Sequence, residues 1–230
     1  MRVTVNQPCP FPALHIINRV LQSDVSVHLQ SAQFVRRMKE SPARQNAYEI
    51  VLGNERHWLT IPVKHTGKQG VRLRDAEIDY SQDWQSKHLK TISQAYGKKL
   101  YYDQVFPFVH DVLMMQHPSL AHLSIASMNA VFQFLRIDVA MTLDDDLPVF
   151  EGDPSRWMLA ITKALGGTEY FCGQWAIENY LDMGAFLEAG VVPIGQDWKC
   201  PEGVLNVSVI DLLMNRGPDS ILLLDPIVGS

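Results

Sequence analysis

Cysteine is scarce in this chain of 230 residues: Cys9, Cys172 and Cys200 are an odd number at wide spacing. They form neither a disulfide framework nor a paired CxxC zinc site, so reduced thiols in a cytoplasmic protein are expected. Long apolar runs are missing, and nothing approaches the ~18 residues that a membrane helix needs. Pro8, Pro10 and Pro12 interrupt any apolar core behind Arg2, so no signal-peptide pattern is expected either. Basic charge is not in excess, with 20 Lys and Arg against 25 Asp and Glu and a net charge of -5. Phosphate-backbone binding needs a basic face, so no nucleic-acid partner is expected. His110, His117 and His122 fall on helical stretches without an HExxH pattern, and no metal site is expected. Neither an internal repeat nor a low-complexity linker is visible.

What is present begins at the first residues. Arg2-Val3-Thr4-Val5-Asn6 is a β-rich run that ends at Gln7-Pro8-Cys9-Pro10-Phe11-Pro12, where proline forbids both helix and central strand. Leu14, Ile17, Val20 and Leu21 then recur at helical spacing, and Val25-Ser26-Val27-His28-Leu29 is a second β-rich run. Strand, helix and strand in so short a stretch predict a βαβ unit with parallel neighbours. The loop leaving the first strand then lies at the carboxyl edge of the sheet, where open α/β proteins bind ligands.

Gln30 to Arg56 is polar and holds Arg36, Arg37, Lys39 and Arg44, a solvated loop or a cationic lid over that edge. Trp58 to Val63 reads as a third strand, and Arg72 to Ile78 as a further short one. Trp84, His88, Ile92 and Tyr96 recur at four-residue spacing on a helix opened by Asp83. Two more helices, Tyr102 to Met115 and Ser119 to Leu135, make a helical insertion over about 98–136. Ile137 to Leu143 is a strand, and Asp144-Asp145-Asp146 after it reads as a solvated turn rather than a cation site. Asp153-Pro154 opens the next helix, Glu169 to Cys172 is a strand, Ala176 to Ala189 a helix, Val191 to Ile194 a strand and Val209 to Met214 the last helix. The fold class expected is therefore α/β, a mostly parallel Rossmann-like sheet with a helical insertion, as one domain over 1–230.

Several side chains invite chemistry. Lys64-His65 and Lys87-His88 pair a cation with a group that titrates near neutrality. On its own pattern, His88 reads as a satisfied core histidine on an apolar helix face. Gln7 can offer both a donor and an acceptor beyond the first strand. Cys9 and Cys172 sit at strand ends and read as small buried hydrophobes rather than nucleophiles. Asp211 and Asn215 share one helix face, able to orient an amine or ribose or to bond loop backbone.

These phrases, taken together and in order, resemble the WbqC-like family of bacterial proteins. Val5-Asn6-Gln7-Pro8 with Phe11-Pro12 is similar to that family's opening, and Ser23-Asp24-Val25 with Gln33-Phe34 fits its next segment. Leu59 to Lys64, Trp84 with Lys87-His88 and Tyr96, Tyr170 to Gly173 with Tyr180 to Asp182, and Ser208 to Leu213 with Asn215 and Gly217 complete the series. Asn6 stands where the family has histidine, and Asn46-Ala47-Tyr48 lacks its arginine. The first βαβ unit also looks like that of pantothenate-synthetase-type enzymes, without their His-x-Gly-His signature.

The resemblance implies a surface-polysaccharide or specialised-metabolite setting. In it, an acyl or aminoacyl group moves to an amine of a small metabolite or nucleotide-linked amino sugar. A nucleotide, an activated acyl donor and an acyl-carrier protein are the cofactors and partners it suggests. It makes His88 the general base, with Lys64 and Gln7 at the developing oxyanion. Asn6, Asn46, Lys87, Gln174, Asp211 and Asn215 become substrate-binding candidates. The alternative is a protein that binds a nucleotide or carrier-bound intermediate without turning it over.

Overall fold

The structure, a computed structural model, describes residues 1–35, 44–64 and 70–225. In chain order its elements are β1 (Arg2–Asn6), α1 (Leu14–Leu21), β2 (Val25–His28), β3 (Ala47–Leu52), β4 (Glu55–Thr60), α2 (Trp84–Tyr96), α3 (Tyr102–Met114) and α4 (Leu120–Leu135). There follow β5 (Ala140–Leu143), α5 (Pro154–Ala164), β6 (Glu169–Gly173), α6 (Gln174–Asn179), α7 (Met183–Glu188), β7 (Val192–Gln196), α8 (Val209–Arg216) and α9 (Ile221–Leu224). They form two compact units. One gathers Met1–Gln7, His15–Leu29 and Asp138–Lys199; the other gathers Pro8–Leu14, Gln30–Ile137 and Cys200–Ser230.

The first unit is a five-stranded sheet in the order β5-β2-β1-β6-β7, and every neighbouring pair is parallel. The expected βαβ unit is there: Val3 pairs with Val25 and Asn6 with His28, with α1 crossing between the strands. Val3 and Val27 are fully buried, as are Ile17 and Val20 on the apolar stripe of α1. From β1 the chain steps outward to β2 and then β5. It returns to the other side of β1 for β6 and steps outward again to β7. The direction of winding thus reverses between β1 and β6. At such a switch point two loops leave adjacent strand ends in opposite directions and open a crevice. The Asp153 carboxylate caps α5 by accepting from the Arg156 amide at 2.9 Å, with Pro154 at the first helical position.

The segment between β2 and β5 is larger than the helical insertion expected over 98–136. Ala47–Leu52 pairs with Glu55–Thr60 as an antiparallel hairpin around Gly53, whose φ of +66° suits a tight two-residue turn. The expected third strand thus starts three residues early and ends at Thr60. It pairs with a strand inside the stretch read as a polar loop. Arg72 to Ile78 is no strand but a 3-10 turn at Leu73–Asp75, flanked by isolated bridges at Arg72 and Ile78. Trp84, His88, Ile92 and Tyr96 are buried along one face of α2, as their spacing predicts.

The helix expected over Ala176 to Ala189 is two short ones. Asp182 interrupts it and caps α7, its side chain accepting from the Ala185 amide at 3.0 Å. Among the described residues no helix is long and apolar enough to cross a membrane.

Candidate functional site

The carboxyl ends of β1 and β6 define the crevice, and a polar network is built into it. Asn6, the last residue of β1, is buried and donates to Thr4 Oγ1 at 3.3 Å. Its Oδ1 accepts from Arg19 Nη1 on α1 at 3.0 Å. Nε and Nη2 of the same guanidinium donate to Gln196 Oε1, at the end of β7, at 3.2 and 3.0 Å. Gln196 Nε2 in turn donates to the His15 carbonyl at 2.8 Å and to Asn18 Oδ1 at 2.6 Å. Gly173, the last residue of β6, lies so close that a Cβ there would stand 3.1 Å from Arg19 Nη2.

Both acceptors of Arg19 are neutral amides, and among the described residues no carboxylate pairs with it. Burial pulls its pKa down, with Tyr170, Cys172 and Tyr180 acting the other way, yet a guanidinium stays protonated in any protein. Of its five N–H groups, three are engaged among the described residues and two remain, one on each Nη. A half-buried cation anchored by neutral groups is poised for an anion.

The candidates named from sequence divide between the units. Asn6, Gln7 and Gln174 belong to the sheet unit, at its carboxyl edge. Gln7 is exposed just past β1. Gln174 opens α6, donates to Glu178 Oε1 at 3.1 Å, and sits against Gly195, where a Cβ would collide with its Oε1.

Asn46, Lys64, Lys87, His88, Asp211 and Asn215 belong to the second unit. His88 is 5% exposed. Its Nε2 lies 3.2 Å from the Thr60 carbonyl, which can only accept, so Nε2 carries the proton. Nδ1 must then accept from the Tyr48 hydroxyl at 3.0 Å. Burial pulls its pKa down to about 4, with the Thr60 bond opposing and His57 adding slightly. So placed, the ring has no free nitrogen for a substrate proton. Trp84 and Tyr48 meet it edge-on, and Phe11 meets Tyr48 in turn. Phe11 holds a φ of +40°, strained for a bulky residue, while its amide donates to Ser127 Oγ at 2.9 Å.

The other candidates of this unit are also occupied or surface groups. Lys64 Nζ is 2.8 Å from Glu77 Oε2, an exposed pair whose hydrogen bond raises the lysine pKa. Lys87 is exposed on α2. Asn46 closes the foot of the hairpin, its Nδ2 donating to the Ile61 carbonyl at 2.8 Å. Asp211 accepts from the Tyr96 hydroxyl at 3.0 Å, and that hydroxyl accepts from the Val51 amide at 2.9 Å. Asn215 donates to the Asp211 carbonyl and lines an open cavity of about 370 Å³ with Tyr101, Arg216 and Asp219. Arg36, Arg37, Lys39 and His65 lie outside the described residues.

The thiols are not poised as nucleophiles. Burial pushes Cys9 up to about 12 and Cys172 up to about 11, the latter against the pull of Arg19. Among the described residues no group of three or more His, Cys, Asp or Glu could hold a metal ion. Asp144 is buried, not the solvated turn residue expected, whereas Asp145 and Asp146 are surface residues.

Sequence reasoning missed Arg19 and Gln196. The available signal was Asn18, fully buried beside Ile17 in the apolar stripe of α1. A polar residue there needs polar partners against the sheet, and Arg19 is its neighbour.

The sequence model of the WbqC-like protein family matches residues 7–222. The chain belongs to the WbqC-like protein family. It is also similar to "Uncharacterized protein Rv1507c" of Mycobacterium tuberculosis (strain ATCC 25618 / H37Rv), at 24% identity over 185 residues, 76% of this chain and 79% of the relative. No solved structure matches it.

Proposed function

We propose that this WbqC-like protein binds the anionic part of a small metabolite at the switch point between β1 and β6, with Arg19 as the anchor. One observation carries this reading. The guanidinium is fixed in place by Asn6 and Gln196, has no carboxylate partner among the described residues, and keeps two donors unspent. Planar guanidinium donors match a phosphate or carboxylate better than a point charge does. Trp175, 60% exposed in the first turn of α6, supports a ring-bearing ligand such as a nucleotide by offering an aromatic face.

Acyl or aminoacyl transfer to an amine of that metabolite is the reaction proposed for the bound molecule. We take it to run by direct attack on an activated donor, because burial raises the pKa of Cys9, Cys172 and Cys200 and disfavours a thioester route. The test is a thermal-shift screen over nucleotides, nucleotide sugars and acyl donors, with mass spectrometry of the same mixtures. A ligand stabilises by RT ln(1 + [L]/Kd). Arg19→Met is expected to weaken the best anion about 10- to 100-fold, the worth of one charge-assisted contact. Arg19→Lys keeps the charge but loses the fork and should recover part. Equal affinity in wild type and Arg19→Met would sink the anchor. Acyl donor and acceptor left unchanged in mass by a protein that binds both would leave binding alone.

A further inference from the structure

We infer that His28 is a ligand contact in the same crevice, meeting a hydroxyl or amine of the molecule whose anion Arg19 holds. This rests on the binding reading above and names the ligand class: a phosphorylated or nucleotide-linked sugar or amino sugar. His28 closes β2 at the carboxyl edge, only 2% exposed, and neither ring nitrogen has a hydrogen-bond partner among the described residues. Ser26 Oγ, two residues back on the same strand, is also buried and has no hydrogen-bond partner among the described residues. A buried polar group without a partner costs about 1–3 kcal/mol, so three such atoms on one strand call for an explanation.

Position supplies one. His28 pairs in register with Asn6 and Ser26 with Thr4, so these four side chains share one face of the sheet. The Leu29 amide donates to the Asn6 carbonyl at 2.9 Å, which carries the pairing to the strand ends. Asn6 is the residue that holds Arg19. Adjacent strands lie about 4.8 Å apart, so the imidazole stands one strand over from Asn6, the residue that positions the anchor. That separation suits a molecule carrying an anion and, a few bonds away, a group that both donates and accepts. Burial pulls the His28 pKa down to about 4, with the Asp144 carboxylate opposing, so the ring is neutral at pH 7. A neutral imidazole offers one donor and one acceptor. Hydroxyls and amines complement both; an inorganic anion complements only the donor.

The test uses the full chain and two probes, inorganic pyrophosphate and glucosamine 6-phosphate, with affinities by calorimetry and His28 ring signals by NMR. Expected is movement of the His28 signals with glucosamine 6-phosphate. His28→Leu should weaken that probe about tenfold or more while leaving pyrophosphate within about twofold. His28→Gln, which keeps a donor and an acceptor, should recover part of the loss. Arg19→Met should weaken both probes. If His28→Leu binds glucosamine 6-phosphate as wild type does, the inference falls and the Arg19 anchor stands. If neither probe binds the wild-type protein, both fall. A His28→Leu protein that fails to fold leaves His28→Gln and the wild-type ring signals to decide; unmoved signals on saturation would overturn the contact.

Discussion

At the scale of single residues, two buried histidines behave oppositely. His88 has both nitrogens spent, on Tyr48 and Thr60, whereas His28 has both open among the described residues. Replacing His88 by Leu leaves the Tyr48 hydroxyl buried without its acceptor and is expected to cost about 1–3 kcal/mol. His88→Gln can accept from Tyr48 and donate to Thr60, so it should lose much less. Urea melts of the two variants check this, and a fall in ligand turnover at unchanged stability would instead restore His88 as a base. Both rings have pKa values near 4 in the fold, below the ordinary 6.5. Between those values the unfolded chain binds more protons than the folded one. Stability is therefore full above about pH 6.5 and declines as pH falls toward 4, by up to about 1.4 kcal/mol per pH unit for each ring. Stability measured across that window should fall less steeply in His88→Gln than in wild type.

At the scale of elements, the second unit depends on hydroxyl bridges as well as on its apolar face. The Tyr96 hydroxyl links the β3 backbone at Val51 to Asp211 on α8. Burial raises the Asp211 pKa and this bond draws it down, so the carboxylate depends on its partner. Tyr96→Phe keeps the ring but strands the amide and the carboxylate, and about 1–3 kcal/mol should be lost in a denaturant melt. No loss would mean that water replaces the hydroxyl freely. Asp182→Ala should cost about 1 kcal/mol by uncapping α7.

Which elements were legible depends on their patterns. Val3, Val5, Val25 and Val27 alternate cleanly, and proline ends the first strand, so the βαβ unit could be read. Ala47–Leu52 was hidden because Glu49 breaks its apolar character and the run before it is strongly basic. The break at Asp182 was missed because Ala176, Tyr180, Met183 and Leu187 recur at helical spacing across it. The candidate site was legible only as a place, the loop after β1. Arg19 looks like any solvated charge on a helix, and its role depends on a strand end 177 residues away at Gln196.

At the scale of the whole molecule, each unit is assembled from three separated stretches of chain. β1 is flanked by β2, nearby in sequence, and by β6, whose pairing of Arg2 with Glu169 spans most of the chain. Such long-range pairing must close large loops before it is rewarded, which predicts slow folding with few stable fragments. A fragment of residues 1–137 tests this sharply. It contains all of α2, α3 and α4 but lacks β5, β6 and β7, so β1 and β2 are left as a two-stranded ribbon with both edges open. A parallel pair of that kind is buried on both faces in native sheets, and here only α1 remains to cover it. It also lacks α8, which packs on β3 and α3. The fragment is expected to keep helical circular dichroism while losing dispersed methyl signals and a sharp urea transition. A fragment that unfolds cooperatively, at a midpoint close to that of the full chain, would show that residues 1–137 fold without the return strands.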